Sequence, residues 1–376
     1  MLKLVLGVLA LAACDGAAQG PAPASPQPRS TAGVVRAETV ARGLEHPWAL
    51  AFLPDGRMLV TERPGRLRIV GPDGTISPPL SGVPEVQSGG QGGLLDVALD
   101  PDFERNRLVY LSFSEPGPGG AGTSVARGRL TATGLDSVRV IYAQRPKLRG
   151  QGHFGSRLVF ARNGALFITQ GDRMAYRDSA QRLTAGQGKI VRINTDGTIP
   201  PDNPFAGRTD ALPEIWSYGH RNIQAAVLHP ETGELWTVEH GARGGDELNN
   251  PQRGRNYGWP VITYGRDYSG ARIGEGAERE GMEQPKYYWD PVIAPSGMVY
   301  YTGDAIPGWR GSFIVGSLQG HGLVRLVVEN GRVTAEERYL GDLRERIRDV
   351  QQGPDGFLYI VTDRPDGQVM RVRPAR

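Results

Sequence analysis

Cysteine, lysine and long apolar segments are scarce in this chain of 376 residues. Its only cysteine is Cys14, so the folded part contains no internal disulfide and must be stabilised by its core. Lysine occurs only at Lys3, Lys147, Lys189 and Lys286, and arginine supplies most of the positive charge. The formal net charge is +3 and no block of consecutive basic residues occurs, which argues against a nucleic-acid partner.

Several catalytic signatures are also absent. Without a G-x-S-x-G sequence, a Ser-His-Asp hydrolase has no support. No G-x-G-x-x-G opens a helix after a strand, which disfavours a nicotinamide-dependent enzyme. The histidines form no His-x-x-x-His pair and no Cys/His cluster, so the sequence carries no zinc signature.

The apolar N-terminus, "MLKLVLGVLALAAC", has the pattern of a secretory signal and is shorter than the roughly 20 residues of a membrane span. Leu11 to Cys14 resembles the bacterial lipobox. We therefore predict a lipoprotein signal peptide over residues 1–13, and a lipid-anchored Cys14 with a Pro/Ala/Gly linker over residues 14–33. The anchor would hold a periplasmic protein at a bacterial membrane, and Asp15 points to the inner one. The alternative is an ordinary signal peptide with an incidental cysteine.

A phrase of turn residues followed by an apolar run recurs along the rest of the chain. Copies begin at Phe52, Leu99, Val159, Leu228, Tyr300 and Gln351. Each predicts a hairpin whose second strand is buried on both faces. Spacings of roughly 45 to 75 residues indicate a repeat of four-stranded units, and we predict an all-β fold, a six-bladed β-propeller over residues 34–376. A two-sheet sandwich would not predict this period.

Propeller loops converge at one mouth of a central channel, and polar residues stand at such loop positions. They are Gln91 in "SGGQGGLLDV", His153 in "GQGHFG", Asp172 in "TQGD", and Arg221 and Asn222 in "SYGHRNIQ". A histidine and an aspartate one hairpin apart can form a hydrogen bond that raises the basicity of the imidazole, which would make a general base. A structural histidine that bridges two blades is the other interpretation.

Arginines form a second pattern. Arg346 and Arg348 are two residues apart on a predicted strand, so both side chains face one side. Together with Arg221 at the same mouth they indicate a polyanionic ligand, because arginine binds carboxylates through two parallel hydrogen bonds. Surface arginines in an arginine-rich chain are the alternative.

The stretch 238–250, "VEHGARGGDELNN", combines glycines with the oxygen donors Asp246, Glu247, Asn249 and Asn250, and Tyr257 follows in "NYGWP". Such a composition is typical of a surface turn. It also suits Ca²⁺, which binds carboxylates and the backbone carbonyls that glycine lets converge.

Taken together, these stretches resemble the soluble quinoprotein glucose dehydrogenase family, especially its aldose sugar dehydrogenase branch. The similarity runs from about Gly43 to Arg373 and is carried by "GQGGLLDVALDPDF", "GQGKIVRINTDGTIPPDNPF", "SYGHRNIQ", "EHGARGGDELNN" and "RIRDVQQGPDGFLYIVTD". The resemblance implies a six-bladed propeller that holds pyrroloquinoline quinone (PQQ) and Ca²⁺ and oxidises aldoses at C1 to lactones.

The resemblance also implies roles for single residues. His153 would be the general base, Asp172 its orienting partner, and Arg221 a catalytic contact beside the reactive carbonyl of the cofactor. The implied cofactor contacts are Gln91, His153, Arg221, Asn222, Gln319, Arg346 and Arg348. The implied calcium ligands are the backbone oxygens of Gly241 and Ala242 at the cofactor, and Glu247 and Tyr257 at a further, structural ion.

Two departures from the family pattern bear on specificity and assembly. Gln319, in "GSLQGHG", stands where the glucose dehydrogenases place a lysine, and the chain lacks the longer loops of the dimeric enzymes. We therefore expect a monomer without strict glucose specificity, whose electron acceptor the sequence does not identify. The competing functions are a Ca²⁺-dependent propeller lactonase and a non-enzymatic carbohydrate-binding propeller.

Overall fold

The computed structural model describes residues 28–31, 34–320 and 322–375. The predicted signal peptide, the lipidated Cys14 and most of the predicted linker lie outside the described residues. Within these ranges the secondary structure is almost entirely strand, with one short α-helix, α1 (Phe103–Asn106), and 3-10 turns at Arg177–Gln181 and Gly341–Leu343. No helix of the described part is long and apolar enough to cross a bilayer.

Six sheets follow one another along the chain, and the predicted six-bladed β-propeller is confirmed. Blade 1 consists of β3 (Pro47–Phe52), β4 (Met58–Glu62) and β5 (Arg66–Val70), and blade 2 of β6 (Leu94–Leu99), β7 (Leu108–Gly117), β8 (Gly120–Leu130) and β9 (Leu135–Ala143). Blade 3 consists of β10 (Gly155–Phe160), β11 (Leu166–Gln170), β12 (Lys189–Ile193) and β13 (Ile215–Tyr218). Blade 4 consists of β14 (Ile223–Leu228), β15 (Leu235–Glu239), β16 (Asp246–Asn249) and β17 (Tyr287–Trp289). Blade 5 consists of β18 (Pro295–Tyr301), β19 (Ser312–Ser317), β20 (Leu323–Glu329) and β21 (Arg332–Tyr339), and blade 6 of β22 (Ile347–Gln352), β23 (Leu358–Thr362) and β24 (Gly367–Pro374).

The N-terminal part of the described chain closes the ring. Strand β2 (Val35–Leu44) pairs antiparallel with β24 and completes blade 6, so both ends of the domain lie in one sheet. A two-residue strand, β1 (Arg29–Ser30), pairs parallel with β21 at the outer edge of blade 5. These two residues belong to the segment predicted as linker, and here they form a strand at the edge of the propeller.

The core is a ring of apolar clusters between neighbouring blades. All residues of the second strands β4, β11 and β15 are buried, as their mostly apolar sequences predict, and the Thr and Glu or Gln near the end of each strand are buried with them. One cluster joins blades 1 and 2 through Trp48, Leu59 and Phe113, and another joins blades 5 and 6 through Tyr301 and Ile360. Full burial of each such aliphatic or aromatic side chain contributes about 1.5–3 kcal/mol to the free energy of unfolding.

The geometry of the innermost strands creates the site. In each of β3, β6, β10, β14, β18 and β22, the pairing with the second strand shifts register near the first residues. Such bulges bend a strand and re-aim its side chains. The first and second strands of each blade are antiparallel. The loop before the first strand and the residues after the second strand therefore lie at the same end of the channel. We call this end of the channel the mouth.

A buried ionic network joins three of the innermost strands. Nη1 of Arg157 lies 3.0 Å from Asp96 Oδ1 and 3.1 Å from Asp349 Oδ1, and the guanidinium stacks 4.4 Å from the ring centroid of Trp48. Burial raises the pKa of Asp96 to about 6, the charge of Asp349 adds to the shift, and the Arg157 guanidinium opposes it. These residues from three innermost strands and Trp48 give the mouth a floor.

Candidate active site

A cavity of about 250 Å³ opens at the mouth. Its walls come from all six blades, and they include Trp48, Arg63, Gln91, Phe154, Gln224, His240, Ala294, Leu318, Arg346 and Arg348. Three of these lining residues are arginines, and none is a carboxylate. The charge of the lining therefore favours an anionic ligand.

The structure brings His153 and Asp172 together. His153 lies in the loop before β10 and Asp172 two residues after β11, with 2.6 Å between His153 Nδ1 and Asp172 Oδ1. Asp172 also accepts hydrogen bonds from Trp259 Nε1–H (2.7 Å) and from the backbone N–H of Met174 (2.7 Å). An ionised carboxylate only accepts, so Nδ1 of His153 carries the proton and Nε2 keeps the lone pair of a base.

The backbone around His153 is held in an unusual conformation. Its φ is 51°, in the left-handed region that few residues other than glycine adopt. Gly171 crosses the loop so closely that a Cβ there would lie 2.1 Å from the carbonyl oxygen of His153. Arg173 donates from Nη2 to the carbonyl of Gly150 (2.6 Å) and from Nη1 to that of Gly152. Surroundings that over-determine a strained residue are common at functional sites.

The environment of His153 keeps its ring neutral. Burial lowers the pKa of His153 below its ordinary value of 6.5, the hydrogen bond with Asp172 opposes that shift, and the positive charge of Arg221 adds to it. Arg173 lowers the pKa further. A neutral imidazole with a free Nε2 can accept a proton near neutral pH.

Arg221 is buried beside this pair, in the loop before β14. Nη1 donates to the carbonyl oxygens of His240 (3.2 Å) and Gly241, and the guanidinium stacks 5.2 Å from the ring centroid of Trp259. Its buried Nε has no hydrogen-bond partner among the described residues. An unsatisfied buried donor costs free energy unless a ligand accepts from it.

Of the three predicted amide contacts, one lines the cavity. The side-chain oxygen of Gln91 accepts from the backbone N–H of His153 (2.7 Å), and Gln91 is exposed at the wall. Asn222 is fully buried behind the wall, where Oδ1 accepts from the backbone N–H of Gly155 (3.1 Å) and from Gln224 Nε2 (3.2 Å). Gln319 is exposed and follows the lining residue Leu318 without lining the cavity itself.

The two C-terminal arginines face the same side, as predicted. Nη2 of Arg348 lies 2.6 Å from Asp363 Oδ2, and Nη2 of Arg346 lies 3.3 Å from the same oxygen. Burial alone would raise the pKa of Asp363, but the Arg348 guanidinium outweighs burial and holds the pKa well below its usual range. Arg348 is buried and its Nε has no hydrogen-bond partner in the described chain, whereas Arg346 is half exposed.

A second, much smaller cavity of about 10 Å³ lies on the other side of His240. Glu239 and Glu247 stand directly opposite each other on β15 and β16, and Asn249 Nδ2 donates to both, at 3.1 and 3.0 Å. Burial raises the pKa of Glu247 to about 8, and the charge of Glu239 adds to the shift. A divalent cation would relieve the repulsion between these two carboxylates.

The other predicted calcium ligands lie near this small cavity. Tyr257 lines it. The hydroxyl of Tyr257 donates to the carbonyl of Asn250 (2.8 Å), so the atom of Tyr257 that would bind a cation is its backbone oxygen. Gly241 also lines the small cavity rather than the large one, and the buried Ala242 forms a bridge with Gly244. No three His, Cys, Asp or Glu side chains of the described residues converge on a metal position, so a cation here needs backbone and amide oxygens as well.

Several site residues escaped the sequence analysis, although the repeat contains the signal for them. Arg63, His240 and Asp363 each follow directly after the second strand of a blade, one position before the place that Asp172 occupies in its own blade. Examining the residues just after the second strand of every blade would have found all three. Trp259 has no such signal, because its contact with Asp172 joins loops that are distant in the chain.

Comparisons with known proteins agree with this geometry. The family described as Glucose / Sorbosone dehydrogenase matches residues 44–371. Aldose sugar dehydrogenase YliI of Escherichia coli (strain K12) is 47% identical over 346 residues, which cover 90% of this chain and 93% of that protein. The apo-form crystal structure of the soluble aldose sugar dehydrogenase from Escherichia coli superposes with a TM-score of 0.88 at 46% identity, covering 90% of this chain and 99% of that one. The PQQ-bound aldose sugar dehydrogenase from Streptomyces coelicolor superposes with a TM-score of 0.75 at 27% identity, covering 93% and 100%.

Proposed function

The chain belongs to the Glucose / Sorbosone dehydrogenase family, and on that premise we propose that it oxidises aldoses at C1 to lactones with PQQ and Ca²⁺ bound at the mouth. The observation that carries this proposal is a neutral His153, held by Asp172 beside a cavity whose charged lining residues are arginines. Reconstitution with PQQ and CaCl₂, followed by an assay of aldose oxidation, tests it.

The residues at the mouth fit PQQ, a planar tricarboxylate. Arg63, Arg346 and Arg348 would pair with its carboxylates, and the unpartnered Nε atoms of Arg348 and Arg221 are donors that an anionic ligand would satisfy. Gln91 would contact it from the wall. When bound, PQQ supplies the acceptor for the hydride that leaves C1.

The small cavity fits a calcium ion. Glu247 and the backbone oxygen of Tyr257 would hold a structural ion there, and Glu239 adds a second carboxylate to its wall. The backbone oxygens of Gly241 and Ala242 would bind the ion at the cofactor. The Gly241 oxygen accepts a hydrogen bond from Arg221, so Arg221 would have to turn toward the ligand before that oxygen could bind the ion.

The residues of the chain then have separate roles. Nε2 of His153 takes the proton of the C1 hydroxyl, and Asp172 orients the ring and stabilises the imidazolium that forms. Arg221 provides a fixed positive charge where negative charge develops on the acceptor side. A positioned general base contributes about 10²- to 10⁴-fold to the rate.

Replacement of Glu247 by glutamine is expected to lower the melting temperature measured in excess Ca²⁺, because the structural ion loses a carboxylate. The pKa of Glu247 is raised in the fold, so without Ca²⁺ the folded state binds more protons than the unfolded state. Wild-type stability in EDTA should therefore fall as the pH rises from 4.5 towards 8, and Ca²⁺ should remove that fall.

Melting curves in EDTA and in millimolar Ca²⁺ at several pH values measure this effect. Glu231→Gln, at an exposed glutamate in a turn of the same blade, is the matched control and should keep the response to Ca²⁺. If wild type and Glu247→Gln melt alike in both solutions, the stretch 238–250 is only a turn.

A further inference from the structure

Three arginines stand opposite one another on a small β-ribbon beside the mouth. Arg243 pairs with Arg266, with backbone N–H to carbonyl distances of 2.8 and 2.9 Å, and Arg266 pairs in turn with Arg272. Residues that are directly opposite in antiparallel strands project from the same face, with Cβ atoms about 4.5–5.5 Å apart. We call Arg243, Arg266 and Arg272 the arginine ladder.

The arginine ladder forms no ion pairs among the described residues. All three residues are exposed, and within the described part of the chain none of their side chains has a hydrogen bond or an ion pair. Arg57 and Arg208 behave differently, since each pairs with the carboxylate of Asp55 or Asp210 in its own turn. Like charges directly opposite one another destabilise a sheet, so folding alone gives no reason for the ladder.

The ladder adjoins the proposed active site on two sides. Gly241, two residues before Arg243, accepts a hydrogen bond from Arg221. The turn between Arg266 and Arg272 carries Tyr268, whose hydroxyl lies 3.4 Å from Nη2 of Arg221. A ligand on the ladder would therefore sit next to the reaction.

Two exposed side chains with large apolar parts flank the proposed active site, Tyr268 at Arg221 and Met174 at Asp172. Tyr268 is 66% exposed and Met174, next to Arg173 and two residues after Asp172, is 49% exposed. Among the described residues only two other large hydrophobic side chains, Val34 and Val140, are exposed to a similar degree. Tyrosine, methionine and arginine are the residues enriched where proteins dock on one another.

We propose that the arginine ladder, with Tyr268 and Met174, is the docking surface for an acidic redox protein that removes the electrons of sugar oxidation. None of the three arginines lines the large or the small cavity, so the ladder suits a broad protein surface better than a small anion. Unlike-charge surfaces steer such partners together.

This proposal rests on the proposed function, which supplies the electrons. Oxidation of an aldose at C1 to the lactone releases two electrons and two protons. Two molecules of a one-electron haem protein would each take one electron, their ferric haems becoming ferrous, and the two protons would pass to solvent.

The test uses cytochrome c in two forms, the native basic protein and its succinylated acidic derivative, which share one fold and one haem. The variant is Arg243→Gln/Arg266→Gln/Arg272→Gln. The matched control is Arg129→Gln/Arg139→Gln/Arg332→Gln, which removes the same charge at exposed arginines of β8, β9 and β21. These arginines have no ion-pair partner among the described residues. Three quantities are measured: the Kd for each oxidised cytochrome, the rate of haem reduction by the enzyme with aldose, and turnover with a neutral small dye.

At low ionic strength, wild type should bind and reduce the acidic cytochrome better than the basic one. The ladder variant should lose about tenfold or more of both affinity and rate, the loss should vanish at high salt, and the control should lose much less. Dye turnover should stay unchanged in both variants, because none of the replaced arginines lines the large or the small cavity.

Equal binding and reduction of the acidic cytochrome by the ladder variant and its control would overturn the docking proposal. A ladder variant that changes only the KM for anionic aldoses would also overturn it, because the ladder would then recognise substrate. Absent dye turnover in the wild type would refute the proposed function, while the Kd values would still judge the docking surface.

Discussion

Replacement of His153 by glutamine is expected to lower kcat for aldose oxidation by about 10²- to 10⁴-fold, the range for a lost general base. His153 is the member of the His–Asp pair that can act as the base, since its Nδ1 bonds Asp172 at 2.6 Å and the lone pair of Nε2 is left for substrate. The variant should keep most of its affinity for PQQ, because on the proposed function the arginines of the lining would hold the cofactor carboxylates. Quinone titration by absorbance and steady-state rates measure the two quantities separately.

The pH dependence provides a second readout of the same residue. The base acts unprotonated, so kcat/KM should fall as the pH drops through the pKa of His153, which lies below 6.5 because of burial and Arg221. This acid limb should disappear in His153→Gln. His229→Gln is the control and should keep the wild-type profile, because His229 directly follows the innermost strand β14, at the end away from the mouth. Near-normal turnover of His153→Gln at saturating PQQ would remove His153 from the mechanism.

Replacement of Arg348 by alanine is expected to raise the Kd for PQQ by about 10- to 100-fold. A hydrogen bond to a charged group contributes about 1.5–3 kcal/mol, and about 1.4 kcal/mol corresponds to a factor of ten. Turnover at saturating PQQ should change less, because Arg348 touches neither His153 nor Asp172. The measurement is titration of the variant with PQQ in the presence of CaCl₂.

The fold also depends on Arg348, so this effect needs its own control. The variant removes the partner at 2.6 Å from the buried Asp363, which keeps Arg346 at 3.3 Å and His46 at 2.9 Å, so the cost should stay below the roughly 3–5 kcal/mol of a buried charge left without any partner. Arg348→Ala/Asp363→Asn removes that charge and should recover stability without recovering PQQ affinity. Arg192→Ala, at a buried arginine paired with Asp202 away from the mouth, should lower stability and leave the Kd unchanged. If the double variant binds PQQ as tightly as wild type, Arg348 acts only through the fold.

The repeat in the sequence predicted the propeller because it reflects burial. The second strand of each blade packs against neighbours on both faces, so its apolar run recurs with the period of the blade. The outer strands β9 and β21 are partly exposed and carry no comparable run. Closure by β2 could not be predicted, since its pairing with β24 joins segments more than 300 residues apart that have no shared local pattern.

The sequence predicted which residues lie near the site better than it predicted where their side chains point. His153 and Asp172 meet as expected, and Arg346 and Arg348 share the carboxylate of Asp363. Asn222 is buried behind the wall of the cavity. The sequence could not predict this orientation, because the side chain of a loop residue can point either into the channel or into a blade. The same limit applies to the arginine ladder, which exists only because a hairpin folds back onto the stretch 238–250.

The most direct test of the central claim is a titration of the purified protein with PQQ in the presence and absence of CaCl₂. An aldose and a dye acceptor are present, and both lactone formation and dye reduction are followed. We expect lactone and reduced dye to form in equal electron equivalents, and only when both PQQ and Ca²⁺ are present. The activity should saturate at one PQQ per chain. Hydrolysis of added lactone with Ca²⁺ alone would contradict the account and identify a propeller lactonase, and sugar binding without oxidation would identify a carbohydrate-binding propeller.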